Sequence, residues 1–141
     1  AELAMACDYR IASKNVKFGF IHSSLGITTA WGGIIDLIDS IGRNKALSIL
    51  IEGKIMNAEE AFINGIIQEV EKTHKALEVR IDALKNTYRS TPIHVIRGIK
   101  AVTSQHKRSI HDQLKKVELN SFKRTWMSEA HWEKVNELLS K

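Results

Sequence analysis

The sequence has few of the residues that build cross-linked or metal-stabilised scaffolds. It has one cysteine, Cys7, and one proline, Pro92, among 141 residues. A single cysteine excludes an internal disulfide and a site built from several thiolates, so we expect a reducing compartment, the cytoplasm. The six histidines share no spacing typical of metal ligands, and we therefore expect no metal site.

The sequence also lacks long apolar runs. No run approaches the roughly 20 residues that a membrane span requires, and the first ten residues do not combine a basic leader with an apolar stretch. We therefore expect no signal peptide and no membrane partner. Apolar residues make up 43% of the chain and charged residues 26%, which is typical of one globular domain.

Charge is spread unevenly along the chain. Lys and Arg number 21 against 16 Asp and Glu, a net charge of +5. Residues 1–70 carry 6 basic and 8 acidic residues (−2), whereas residues 71–141 carry 15 and 8 (+7). The basic half indicates a solvated helical face, or a surface that meets the phosphates of a small molecule. We expect no nucleic-acid partner, because no zinc-ligand, aromatic-glycine or helix-turn-helix motif is present.

Hydrophobic periodicity predicts a small α/β portion, residues 1–70, followed by a helical portion, residues 71–141. We predict strands at 8–12, 16–20, 54–56 and 66–70. We predict helices at 1–7, from 28 or 29 to 40, at 44–51, and from a capping box of Asn57 and Glu60 to Gly65. The second portion is predicted to hold four helices, one along 77–88 and three that begin after the caps Thr91, Ser109 and Ser128.

Five residues suggest chemistry. Glu2 is a carboxylate on an otherwise apolar turn, where burial would suit it to proton transfer. His22 lies in a loop after a predicted strand, where functional side chains are common. Gly26, Gly32 and Gly33 would let the backbone approach a ligand closely. Each also has a simpler interpretation, namely an exposed glutamate, an ordinary loop histidine and glycines that allow close packing.

Residues 1 to about 70 contain an ordered series of short motifs. They are Ala1–Ala12 (AELAMACDYRIA), Phe18-Gly19, Leu25-Gly26-Ile27, Trp31-Gly32-Gly33, Ile41-Gly42-Arg43, Ala46, Ile51–Ile55, Ala58–Ala61 and Gly65-Ile66-Ile67. In this order they resemble the C-terminal portion of the crotonase (enoyl-CoA hydratase/isomerase) superfamily. The helical remainder is compatible with that family without being diagnostic of it.

The resemblance implies a spiral of ββα units followed by a helical region that assembles a homotrimer or hexamer. It implies an acyl-CoA thioester as substrate, no further cofactor, and two backbone N–H groups that stabilise a thioester enolate. Family members are longer, and both oxyanion-hole segments lie in a first half that this chain lacks. We therefore expect an N-terminal half elsewhere, and expect the present portion alone to be inactive.

Two departures from the family pattern are informative. Glu2 matches the first of two hydratase glutamates, but the position of the second, 20 residues later, is His22. The usual proline- and glycine-rich loop is replaced by Thr28-Thr29-Ala30-Trp31. His22 together with Trp31-Gly32-Gly33 resembles the branch that contains ethylmalonyl-CoA decarboxylase.

This branch implies catalytic and substrate-binding positions. The catalytic residues are predicted to be Glu2 and His22, and the substrate-binding residues Leu25, Gly26, Trp31, Gly32 and Gly33. The favoured activity is decarboxylation of an alkylmalonyl-CoA. The alternatives are an enoyl-CoA hydratase or isomerase of fatty acid metabolism, and a non-catalytic oligomerisation module.

Overall fold

A computed structural model describes residues 1–140 of the chain. All strands within these residues lie before position 72, and the rest is helical. The elements in chain order are α1 (Glu2–Met5), β1 (Ile11–Ser13), β2 (Lys17–Gly19), a 3₁₀ turn (Ser23–Leu25), α2 (Gly33–Ile41), α3 (Arg43–Glu52), β3 (Ile55–Asn57), α4 (Ala58–Ile63), β4 (Glu69–Glu71), α5 (His74–Ser90), α6 (Ile93–Trp126) and α7 (Glu129–Leu139). The arrangement confirms an α/β portion followed by helices; Lys141 lies outside the described residues.

The strands form two small ladders. β1 pairs in parallel with β4, with Ile11 opposite Glu69, and β2 pairs antiparallel with β3, with Phe18 opposite Met56. The parallel pair requires a long crossover, which the intervening elements from β2 to α4 supply.

One apolar core joins these elements. It forms where apolar residues on the inward faces of the strands meet those of α1, α2, α3 and α4. Its buried members are Met5, Ala12, Phe20, Leu37, Ala46, Ile49, Met56, Ala58, Ala61, Ile66 and Ile67. Helix α1 is thereby fixed against α2, and this contact positions Glu2.

Two helix boundaries were predicted wrongly. α2 begins at Gly33 rather than at residue 28 or 29, because Gly32 has a left-handed backbone (φ +84°) that no α-helix can continue through. Ser109 does not start a helix; α6 runs unbroken through it. A serine is only mildly unfavourable inside a helix, so the good helix formers around it prevail.

The strand predictions were displaced by one to three residues. Strand β4 starts at Glu69 because Ile66 and Ile67 are buried in the core instead of joining the ladder. Two of the four predicted helix caps are confirmed. Thr91 does not cap α6, because its hydroxyl donates to the Thr87 carbonyl at the end of α5. Asn57 and Glu60 form the predicted capping box, and the Ser128 side chain accepts the His131 N–H at the start of α7. No helix within residues 1–140 is long and apolar enough to cross a membrane.

Candidate functional site

Glu2 and His22 form a side-chain pair. His22 Nε2 lies 2.9 Å from Glu2 Oε1, and the two side chains are 22% and 14% exposed. A carboxylate oxygen can only accept, so His22 Nε2 carries the proton of this hydrogen bond. The pair was proposed from residues 20 positions apart, and the structure brings them into direct contact.

The second oxygen of Glu2 is also held. Glu2 Oε2 accepts the backbone N–H of Trp31 at 3.0 Å. A Cβ added to Gly33 would lie 2.6 Å from Glu2 Cγ and 2.8 Å from Oε2, so only glycine leaves room for the carboxylate. The irregular segment before α2 and the first residue of α2 therefore form a cradle for this side chain.

The 3₁₀ turn positions His22. The carbonyl oxygen of His22 accepts the N–H groups of Leu25 and Ile27, each at 3.0 Å. On the ring, Nδ1 is buried and has no hydrogen-bond partner within residues 1–140. Within residues 1–140, Nε2 of the imidazole is therefore hydrogen-bonded to Glu2, and Nδ1 has no hydrogen-bond partner.

This arrangement suits proton transfer. A carboxylate and an imidazole at hydrogen-bond distance share one transferable proton, and both side chains are largely buried, which strengthens their interaction. Among residues 1–140, no group of three or more His, Cys, Asp or Glu side chains is arranged to hold a metal ion.

The other predicted site residues are divided between two places. The Trp31 side chain is 79% exposed, while its backbone contacts Glu2. Gly32 packs on the ring of His111, and Gly33 packs on Glu2. Leu25 and Gly26 lie at the far end of the 3₁₀ turn, against helix α7. Whether these residues bind substrate stays a prediction.

A buried ion cluster beside Gly32 was not predicted. Asp36 is 2% exposed, and its Oδ1 lies 3.0 Å from Lys107 Nζ and 2.7 Å from His111 Nε2. The only signal in the sequence was a carboxylate flanked by the apolar residues Ile35 and Leu37 of α2. Its partners lie more than 70 residues away on α6, so no local pattern identifies them.

A second buried carboxylate caps α2. Glu118 accepts hydrogen bonds from the Thr29 hydroxyl and, at 3.2 Å, from the Ile34 N–H. Thr29 Oγ1 also accepts the Ile34 N–H at 3.0 Å. Helix α6 thus fixes the segment whose Trp31 N–H holds Glu2.

The family model described as enoyl-CoA hydratase/isomerase matches residues 1–137. Curated relatives include crotonyl-CoA hydratase of Syntrophomonas wolfei, 31% identical over 86% of this chain and 46% of its own length. Human ethylmalonyl-CoA decarboxylase is 33% identical over 71% of this chain and 33% of its length. The chain thus spans between a third and a half of these relatives.

Solved structures show the same fold. Enoyl-CoA hydratase from Bacillus halodurans superposes with a TM-score of 0.85 at 23% identity, covering 96% of this chain and 54% of that chain. Carnitinyl-CoA hydratase from Mycobacterium avium superposes with a TM-score of 0.83 at 21% identity, covering 98% and 54%. With almost the whole sequence matched by the family model, the chain belongs to the enoyl-CoA hydratase/isomerase family, within the crotonase superfamily.

Proposed function

We propose that this chain is the acid–base half of an acyl-CoA enzyme that decarboxylates an alkylmalonyl-CoA. The observation that carries the proposal is the 2.9 Å contact between His22 and Glu2. In the family pattern described above, a hydratase has a second carboxylate where His22 stands. An imidazole there tolerates a substrate carboxylate that a second glutamate would repel.

The reaction follows from this charge arrangement. The bond between the α-carbon and the substrate carboxylate breaks, CO₂ leaves, and the electron pair remains as a thioester enolate. The α-carbon then takes one proton from the Glu2–His22 pair, which water restores. The product is the shortened acyl-CoA, and no oxidant or reductant is needed. Backbone N–H groups outside this chain would stabilise the enolate oxygen.

Variants of His22 test the proposal in the full-length natural gene product. His22→Gln keeps a donor to Glu2 but cannot become cationic, whereas His22→Glu restores the two-carboxylate pattern. We expect both to lower CO₂ release from ethylmalonyl-CoA, by about 100-fold if the residue acts as an acid–base group. Only His22→Glu is expected to gain hydration of crotonyl-CoA. Unchanged CO₂ release in both variants would contradict the role of His22.

A hydratase or isomerase is the second candidate. Glu2 is present, and relatives named as hydratases match at 31% identity and above. This candidate predicts that wild-type protein hydrates crotonyl-CoA and releases no CO₂. The third hypothesis is a non-catalytic oligomerisation module. It predicts that the full-length product has neither activity.

We further propose that the active enzyme includes an N-terminal half, assembles as a homotrimer or hexamer through the helical region, and needs no cofactor beyond the CoA thioester. The chain spans about half of the solved relatives, which supports a missing half. Light scattering on the full-length product should give three or six subunits. A monomer with full activity would contradict the assembly.

A further inference from the structure

We propose that His131 is a positioning residue for His22, acting through the backbone of Leu25. The expected effect of His131 on kcat rests on the proposed function. Its effect on the position of the His22 ring does not depend on the substrate. His131 lies on α7, more than a hundred residues from His22 in sequence, and no motif links the two.

The coupling begins with a buried hydrogen bond. His131 is 3% exposed, and its Nδ1 lies 2.7 Å from the carbonyl oxygen of Leu25. A carbonyl oxygen only accepts, so Nδ1 carries the proton and the ring donates. The opposite nitrogen, Nε2, is buried without a hydrogen-bond partner in the described part of the chain. The ring therefore donates one hydrogen bond, to the Leu25 carbonyl oxygen, and makes no other hydrogen bond within residues 1–140.

The backbone N–H of the same residue, Leu25, continues the connection to His22. The Leu25 N–H donates to the His22 carbonyl oxygen at 3.0 Å, and His22 Nε2 reaches Glu2 at 2.9 Å. One run of hydrogen bonds thus connects His131, Leu25, His22 and Glu2. A shift of the Leu25 carbonyl would turn the 3₁₀ turn and move the imidazole at its start.

Close packing makes this contact rigid. Gly26 has φ +68°, and a Cβ there would lie 3.1 Å from the backbone N and Cα of His131. The Thr28 N–H donates to Thr125 Oγ1 at 3.1 Å, which attaches the chain on the other side of the turn to α6. The His131 ring packs against both Trp126 and Trp132, with centroid separations of 4.8 and 5.1 Å. The junction of α6 and α7 therefore holds the turn that carries His22.

Two substitutions distinguish the loss of the hydrogen-bond donor from the loss of side-chain volume. His131→Phe keeps an aromatic ring and loses the donor, whereas His131→Asn loses the ring and keeps an N–H where Nδ1 stands. The readouts are the ¹³Cε1–¹H resonance of His22 in histidine-labelled full-length protein and kcat and KM for ethylmalonyl-CoA. His74→Phe, at an exposed position on α5, and Trp132→Phe, which alters ring packing alone, are the controls.

We expect His131→Phe to shift or broaden the His22 resonance and to lower kcat by up to about 100-fold with little change in KM. His131→Asn should restore most of both. An unmoved His22 resonance in His131→Phe would overturn the proposal, as would equal losses in the Phe and Asn variants, which would mean that the ring only fills space. If wild-type protein turns over neither ethylmalonyl-CoA nor crotonyl-CoA, the proposed function fails while the resonance still decides the coupling.

Discussion

At the scale of single residues, the site is defined by how closely Glu2 is surrounded. One carboxylate oxygen receives the His22 imidazole, the other receives the Trp31 N–H, and Gly33 leaves the space that the side chain occupies. One hydrogen bond on each oxygen and the close approach of the Gly33 backbone thus restrict the movement of the carboxylate. A fixed carboxylate is what proton transfer to a single carbon requires.

Substituting Gly33 by alanine tests this cradle. Gly33 has no positive φ, so alanine is compatible with its backbone, but the new Cβ would lie 2.6 Å from Glu2 Cγ. We expect Gly33→Ala to leave the fold intact and to lower turnover of the full-length enzyme by up to about 100-fold.

Gly98→Ala is the matched control for that substitution. Gly98 lies inside α6. Apart from its chain neighbours and the nearby backbone of its own helix, no atom of residues 1–140 lies within 4 Å of a Cβ built there. It should keep full activity and gain up to about 1 kcal/mol of stability from the better helix propensity of alanine. Equal activity of the two alanine variants would show that the Glu2 position tolerates movement.

The sequence predicted that Glu2 and His22 act together, because they occupy the two positions, 20 residues apart, at which the family pattern has glutamates; the structure brings the two side chains into contact. The sequence did not identify the contacts that Asp36 and Thr29 make with side chains of α6. Those contacts join residues 71 to 89 positions apart and exist only once α6 lies across α2. His131 was missed for the same reason.

At the scale of elements, the start of α2 is fixed from a distant helix. Thr29 is fully buried, and its hydroxyl donates to Glu118 while accepting the Ile34 N–H. This network replaces the local cap that the segment lacks. The predicted start at residue 28 or 29 was wrong because apolar periodicity reports neither the left-handed backbone of Gly32 nor the contact with Glu118.

Thr29→Val measures the strength of this cap. Valine keeps the shape and removes the hydroxyl, leaving the Glu118 carboxylate with one hydrogen bond fewer in a buried place. We expect the free energy of unfolding to fall by about 1–3 kcal/mol in urea titrations. Thr103→Val, at an exposed position of α6, is the control and should change stability by less than about 0.5 kcal/mol. Equal effects would contradict the network.

A second set of elements is joined by Glu69 on β4. Arg80 on α5 donates to it from Nε at 2.5 Å and from Nη2 at 2.6 Å, and the Tyr9 hydroxyl donates at 2.5 Å. The Arg80 hydrogen bonds, followed by that of Tyr9, lower the pKa of the Glu69 carboxyl below its ordinary value.

The lowered pKa gives a pH-dependent contribution to stability. Because the folded pKa of Glu69 lies below the unfolded pKa, ordinarily about 4.3, the contribution is complete above that value. It is lost as pH falls through the folded pKa. Glu69→Gln should therefore destabilise most at neutral pH and progressively less in acid. Glu71→Gln, on the same strand, is the control; a deficit of Glu69→Gln that does not shrink in acid would contradict the pair.

Local signals account for the elements that were predicted well. The hydrogen bonds of the Asn57–Glu60 capping box and of the Ser128 cap join residues within four positions of each other. A short stretch of sequence therefore determines both helix starts. Strand ends depend on which residues the neighbouring strand reaches. Each ladder is three residues long, so a shift of one or two positions changes most of the strand.

At the scale of the whole molecule, the chain combines a buried α/β core with many exposed apolar side chains. The most exposed large ones are Leu3, Trp31, Ile63, Val102, Met127 and Leu139. Exposed apolar surface of this extent favours burial against further polypeptide, which agrees with the proposed N-terminal half and with assembly through the helices. The chain spans between a third and a half of the relatives that it matches, which supports the proposed N-terminal half.

We propose that a histidine beside Glu2 directs this fold to decarboxylation. The most direct test supplies ethylmalonyl-CoA and crotonyl-CoA separately to the full-length wild-type product and follows CO₂ release and loss of enoyl absorbance. We expect CO₂ release from ethylmalonyl-CoA and no hydration of crotonyl-CoA. Hydration without CO₂ release would show that Glu2 acts with another group, and would contradict the role given to His22.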